Sequence, residues 1–266
     1  MLLCLDVGNT HIVGALFEGK KLALRLRYAT SQIGTADQFG IFLRNILATS
    51  GIDHNRVSVT ALCSVVPSCN FTIRHAFSNY FPKAENFVLQ AGVKTGINIK
   101  YKNPAEVGAD LIAGAIGGVD AFPAKNLVII DLGTATTLVA VTKKADFLGG
   151  VIMPGMRLSM ESLKSNTAKL MEVDIEEPNT YLGQSTRECI QRGLYFGHLG
   201  AMREIVGGYR KELFPGEEVV VIGTGGFSQL FKDQKIFDVI LPDIVSQGIR
   251  IAYENSKAAE AKKVAG

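Results

Sequence analysis

The sequence predicts an α/β protein made of two copies of one fold, and three observations lead there. Short apolar runs alternate with longer stretches of helical periodicity along the chain. The pattern Leu3-Cys4-Leu5-Asp6-Val7-Gly8-Asn9-Thr10 returns as Val128-Ile129-Ile130-Asp131-Leu132-Gly133-Thr134-Ala135, with Asp131 lying 125 residues after Asp6. Each copy leads into a further strand and a charged reversal, Glu18-Gly19-Lys20 in one and Lys143-Lys144-Ala145 in the other. In a chain of 266 residues that offset is close to half the length, so duplication is the economical account. The break is expected between Val119 and Lys125, giving domains at 1–120 and 121–255 with a tail at 256–266.

The first copy opens with a strand from Met1, a turn at Asp6 to Thr10, a strand Ile12 to Phe17 and another from Leu22 to Tyr28. Thr35-x-x-Gln38 reads as a capping box, opening a helix whose apolar face is Phe39, Phe42, Leu43, Ile46 and Leu47. Val57 to Val66 is a buried strand closed by Pro67, and Asn70 to Phe81 a helix with Phe71, Phe77, Tyr80 and Phe81 as its apolar residues. Phe87 to Leu89 is a short strand. Asn103-Pro104-Ala105-Glu106 predicts a helix to about Val119, with Asp110 in its early turns.

In the second copy, strands are expected at Leu127 to Ile130 and Leu138 to Thr142. Ser185-x-x-Glu188 opens a helix through Leu199. Val219 to Ile222 is a strand ending in Gly223-Thr224-Gly225-Gly226, and Asp243 to Asn255 is the last helix. The Ala/Lys-rich tail is a fraying helical end or disorder.

Composition narrows the function. Hydrophobic residues at 47% and charged residues at 20% describe a globular protein, and a net charge of +3 gives no strong field for nucleic acid or an anionic membrane. No apolar run reaches the eighteen residues that a membrane helix needs, and no leader pattern precedes Asp6, so a cytoplasmic protein is expected. Cys4, Cys63, Cys69 and Cys189 form no CxxC pair and read as free thiols. His11, His54, His75 and His198 form no relay and read as surface or structural residues.

A carboxylate at a strand end, followed by glycine and small hydroxyl residues, suits phosphate. Glycine lets backbone N–H groups approach it, and Asn9, Thr10, Thr134, Thr136 and Thr137 offer further hydrogen bonds. One such turn reads as an ordinary β-turn; two copies shift the balance toward polyphosphate held across a cleft, with Asp6 and Asp131 placed for a metal ion. There is no GxxxxGK[ST] and no well-placed GxGxxG, so other nucleotide motifs lose support. Asp110 reads equally as a solvated helix carboxylate or as a base accepting a proton from an attacking hydroxyl.

Taken in order, these motifs resemble the type III pantothenate kinases, members of the actin, sugar kinase and heat-shock ATPase superfamily. The resemblance rests on Asp6-Val7-Gly8-Asn9-Thr10, Tyr101-x-Asn103-Pro104, Gly108-Ala109-Asp110, Asp131-x-Gly133-Thr134-Ala135-x-Thr137, Gly149-Gly150-x-Ile152-x-Pro154-Gly155, Gly183-Gln184-Ser185-Thr186 and Thr224-Gly225-Gly226. It implies two ribonuclease H-like domains with mixed central sheets and ATP in the interdomain cleft. It also implies ATP-dependent phosphorylation of pantothenate, the first step toward coenzyme A, in a homodimer that uses Mg2+ and a monovalent cation, K+ or NH4+. By the same resemblance Asp6, Val7, Gly8, Asn9, Thr10, His11, Ile12, Val13 and Thr134 contact ATP, and Asp131 binds the monovalent cation. Tyr101, Gly108, Ala109, Asp110 and Leu111 line the pantothenate pocket, Asp110 is the general base, and Thr186 completes the pocket from the neighbouring subunit. The family pattern is Gly-x-Asp-Arg, and Leu111 stands where that arginine would supply a planar fork of donors. Arg157 and Lys102 are candidate substitutes, and the departure raises the alternative of a non-catalytic ATP-binding regulator. A sugar or carboxylic acid kinase is a third reading, opposed by the Tyr101 to Asp110 segment.

Overall fold

The computed structural model describes residues 1–90 and 92–265. The chain divides into two compact units, one formed by residues 1–120 and 244–266, the other by residues 121–243.

The first unit contains β1 (Leu2–Val7), β2 (His11–Glu18), β3 (Lys21–Ala29), α1 (Ala36–Thr49), β4 (Val59–Ser64), α2 (Pro67–Tyr80), β5 (Glu85–Val88), the two-residue β6 (Asn98–Ile99) and α3 (Ala109–Ala121). The second contains β7 (Asn126–Leu132), β8 (Ala135–Val141), β9 (Asp146–Pro154), α4 (Met156–Ser165), α5 (Thr186–Glu212), β10 (Val219–Thr224) and β11 (Val239–Ile240). The chain then returns to the first unit as α6 (Ile244–Ala265).

The duplication is visible in the strand pairing. In the first unit β1 pairs antiparallel with β2 and parallel with β4, while β3 extends one side antiparallel and β5 the other side parallel. In the second unit β7, β8, β9, β10 and β11 repeat those relations one for one. Both sheets are therefore mixed, as the sequence resemblance leads one to expect.

Strand β1 is a continuous apolar run because it is covered on both faces. Leu3, Leu5 and Val7 pack with Phe39, Leu43, Ile73 and Phe77 of α1 and α2. Leu2 and Cys4 join Ala61 and Cys63 of β4 on the opposite face, against Ile112 and Ile116 of α3 and Ile249 and Ala252 of α6. In the second unit Val128, Ile130 and Leu132 pack with Met156, Met160, Leu194 and Met202 from α4 and α5.

The expected capping box is present: the Gln38 N–H donates to Thr35 Oγ1 at 3.2 Å and the Thr35 N–H to Gln38 Oε1 at 2.9 Å. Other expectations need correction. Helix α2 begins at Pro67, which suits a first helical turn because its missing N–H has no partner to lose there. Its inward stripe is Cys69, Ile73, Ala76 and Phe77, whereas Phe71 falls off that spacing, is 70% exposed and packs on the His75 ring. No single helix runs from Asn103 to Val119: Asn103 caps a 3-10 turn at Pro104–Glu106, the backbone extends at Val107, and α3 starts afresh at Ala109.

The last helix does not belong with the second half, and residues 256–265 are helical rather than a separate tail. Its inner face supplies Ile249 and Ala252 to the first core, while the Tyr253 hydroxyl and Lys257 reach Glu85 and Asn255 Nδ2 donates to Thr95 O. Strand β9 and helix α4 were not anticipated; Gly149 and Gly150 lie inside the strand, Pro154 ends it and Gly155 is the N-cap of the helix. Helix α5 runs past Leu199 to Glu212 despite Gly200, Gly207 and Gly208. Among the described residues no helix is long and apolar enough to cross a membrane.

Candidate active site

Asp6 ends β1, and the turn after it is pinned by backbone. The Gly8 N–H donates to His11 O at 3.0 Å, Thr30 Oγ1 donates to Gly8 O at 2.7 Å, and the Thr30 N–H donates to Thr10 O at 3.0 Å. The Val65 N–H donates to Val7 O, fastening the chain beyond β4 to the same spot. Asn9, Thr10 and His11 are exposed, Gly8 and Val13 half-buried, and Val7 and Ile12 buried in the core. The side chains of Val7 and Ile12 therefore support the turn, and only their backbone could meet a ligand.

The second turn repeats this scheme. Asp131 lies near the end of β7, the Gly133 N–H donates to Ala135 O at 3.1 Å, and the Phe227 N–H donates to Leu132 O, the counterpart of the Val65 to Val7 bond. Thr134 is exposed, and its carbonyl accepts from the Gly155 N–H at 3.1 Å. Thr136 is fully buried, so its hydroxyl is not available to phosphate as expected from the sequence. Gly225 has φ of +84°, and a Cβ there would strike Asp131 Oδ1 and the Leu132 backbone.

Among the described residues no three His, Cys, Asp or Glu side chains gather as a metal cage. Asp131 has Thr137 of β8 and Thr224 of β10 as its cross-strand neighbours, an oxygen-bearing set of the kind hard cations prefer. It fits a monovalent cation. Asp6, a carboxylate beside a phosphate-type turn, fits Mg2+, which usually takes one or two carboxylates together with substrate phosphates.

Asp110 lies in the first turn of α3. Burial holds its carboxyl above the usual range, partly offset by hydrogen bonds from the Leu111 and Asp110 backbone N–H groups. The Leu111 bond to Oδ1 is 2.8 Å. A Cβ on Gly108 would come within 2.5 Å of that oxygen, so glycine is needed for the carboxylate to fold back over the helix start. Asp110 and Asp6 both act electrostatically on the Cys63 thiol, which brings the two carboxylates to one end of the first sheet.

Gly108, Ala109 and Leu111 are half-buried, while Tyr101 and Lys102 are exposed in the same unit. Thr186 and Arg157 are exposed residues of the second unit, Thr186 opening α5 behind its Ser185 cap. Sequence reasoning did not foresee the cavity of about 90 Å³ behind the start of α3, lined by Val93, Ile97, Ile99, Val107, Ala109 and Ile112. Nor did it identify Cys63. His198 is structural, with its ring nitrogens 2.8 Å from Leu194 O and 3.1 Å from Pro154 O.

A family model described as type III pantothenate kinase matches residues 2–207. The type III pantothenate kinase of Legionella pneumophila (strain Paris) is 47% identical over 252 residues, covering 95% of this chain and 98% of the relative. That of Elusimicrobium minutum (strain Pei191) is 42% identical over 258 residues, covering 97% and 100%. Among solved structures, the activator of the 2-hydroxyisocaproyl-CoA dehydratase from Clostridium difficile with bound ADPNP aligns with a TM-score of 0.50 at 12% identity, over 98% of this chain and 97% of that one.

Proposed function

Because the chain belongs to the type III pantothenate kinase family, whose members transfer phosphate from ATP to pantothenate, we propose that Asp110 is the general base of a direct in-line transfer. The substrate hydroxyl oxygen bonds to the γ-phosphorus of ATP, the bond from that phosphorus to the ADP oxygen breaks, and the hydroxyl proton passes to Asp110. The products are 4'-phosphopantothenate, which opens coenzyme A synthesis, and ADP. The observation that carries this reading is the state of Asp110. It is a half-buried carboxylate whose pKa is raised by desolvation, closer to working pH than an exposed aspartate, and one oxygen is steadied by the Leu111 N–H.

Asp6, the backbone of Val7 to Val13 and Thr134 are assigned to ATP. Tyr101, Gly108, Ala109 and Leu111 are assigned to pantothenate. Asp6 would hold Mg2+, which neutralises phosphate charge when bound, and Asp131 would hold K+ or NH4+. A cytoplasmic setting agrees with four free cysteines.

ADP release should depend on pantothenate and Mg2+ and rise when K+ replaces a large inert cation. Absence of pantothenate-dependent turnover at high substrate would overturn the reading. Leu111 favours the second reading, a regulator, because a leucine cannot pair with a carboxylate. That reading predicts ATP binding by calorimetry without turnover.

A homodimer is part of the proposal, with Thr186 of one subunit completing the partner's pocket. It is supported by exposed apolar side chains of the second unit: Ile152 at 66% on β9, and Tyr181 at 77% and Leu182 at 75% exposure just ahead of Thr186. Light scattering should give twice the chain mass of 28.6 kDa. The double substitution Tyr181→Glu and Leu182→Glu should yield monomer and lower turnover at least tenfold, whereas a wild-type monomer would refute the assignment.

A further inference from the structure

We propose that Cys63 is a positioning residue: its thiol donates a hydrogen bond to the Asp6 carboxylate and fixes that carboxylate beside the nucleotide turn. The inference rests on the assignment of Asp6 to Mg-ATP made above.

The register places the pair. Strands β1 and β4 run parallel with Asp6 and Cys63 as direct partners, so both side chains rise from the same face of the sheet. That face carries Leu2, Cys4, Ala61 and Cys63 into the core under α3, and Asp110 opens the helix that covers it. Cys63 is completely buried, directly beside Asp6 in the strand register. A thiol has one donor and an ionised carboxylate only accepts, so the hydrogen bond between these neighbours runs from Cys63 to Asp6.

The second repeat carries the same device. Asp131 has Thr224 as its direct parallel partner, at the place Cys63 holds beside Asp6, and Thr224 is also buried. Each duplicated aspartate thus has a short side chain with one donor next to it. Cys63 could instead be an apolar filler, as Ala61 is two residues earlier on the same face. A filler is replaceable by alanine, whereas a donor is replaceable by serine.

The test compares Cys63→Ala and Cys63→Ser with the wild type in steady-state kinetics, Mg-ATP calorimetry and infrared spectroscopy. Cys63→Ala should weaken Mg-ATP affinity or kcat/KM for ATP about tenfold, the scale of one hydrogen bond to a charged group, with KM for pantothenate unchanged. Cys63→Ser should stay within about threefold of wild type by the same scale. In the wild-type minus Cys63→Ser difference spectrum, the S–H stretching band should sit at the low frequency of a hydrogen-bonded thiol and move up in an Asp6→Ala background. Equal behaviour of the alanine and serine variants, or an S–H band indifferent to Asp6, would overturn the proposal. The band and the calorimetry need no pantothenate. A wild type that fails to phosphorylate pantothenate therefore refutes the functional reading and leaves the thiol's role to be decided by these two measurements.

Discussion

Asp110→Asn is expected to lower kcat by about 10²- to 10⁴-fold, the usual contribution of a placed base, while Mg-ATP affinity holds and the melting temperature stays equal or rises. The stability half follows from the raised pKa. Burial favours the protonated carboxyl in the folded chain, so its pKa lies above the ordinary value of 3.8. Between those two values the folded state binds more protons than the unfolded state, and stability falls as pH rises. Above the raised value the loss is complete, so Asp110 destabilises the fold wherever it is ionised. Asparagine keeps the shape, can still accept from the Leu111 N–H, and removes the buried charge. The same shift predicts that kcat/KM falls with acid through a pKa above 3.8, because the base must be ionised. Calorimetric melting and an ADP-release pH profile check both. A variant that is inactive and clearly less stable would mean that Asp110 holds the fold rather than the reaction.

Gly225→Ala should be the most damaging small substitution in the second unit. Glycine at φ of +84° avoids the strain a side chain would meet, and the added Cβ would strike both Asp131 Oδ1 and the Leu132 backbone. Strain of this kind costs about 1–3 kcal/mol before the collision is added, so a fall in melting temperature of roughly 5–10 °C is expected. Activation by K+ should weaken as well, since the displaced carboxylate is the one assigned to the cation. Gly226→Ala is the control: a Cβ there meets nothing within 4 Å. It should change stability by no more than about 0.5 kcal/mol. Thermal melts of the two variants, with K+ titrated into the activity assay, distinguish the predictions; equal melting temperatures would refute the first.

The duplication was legible because it is written in an eight-residue pattern that needs no tertiary knowledge, and the strand pairing reproduces it in both units. The capping box was legible for the same reason, being local. Phe71 was misread because aromatic character was given more weight than spacing, and α2 obeys spacing. The region around Asp110 was misread because Asn103 and Pro104 are sound start signals; they start a 3-10 turn, and Gly108 then permits a second start. Strand β9 was hidden by the glycine pair Gly149-Gly150 in its middle, and the start of α4 by Pro154 and Gly155. Cys63 was invisible because its meaning depends on which strand lies beside β1, a nonlocal fact.

The return of α6 to the first unit makes that unit discontinuous, with residues 121–243 inserted between its two pieces. A ribosome releases the chain in order, so β1 emerges before the inserted unit and the helix that helps cover its Cys4 face emerges after it. The inserted unit is contiguous and can close its own core as soon as it emerges. The first unit must wait until α6 has emerged, with part of an apolar sheet face uncovered, which makes it the slower and more aggregation-exposed part of the molecule.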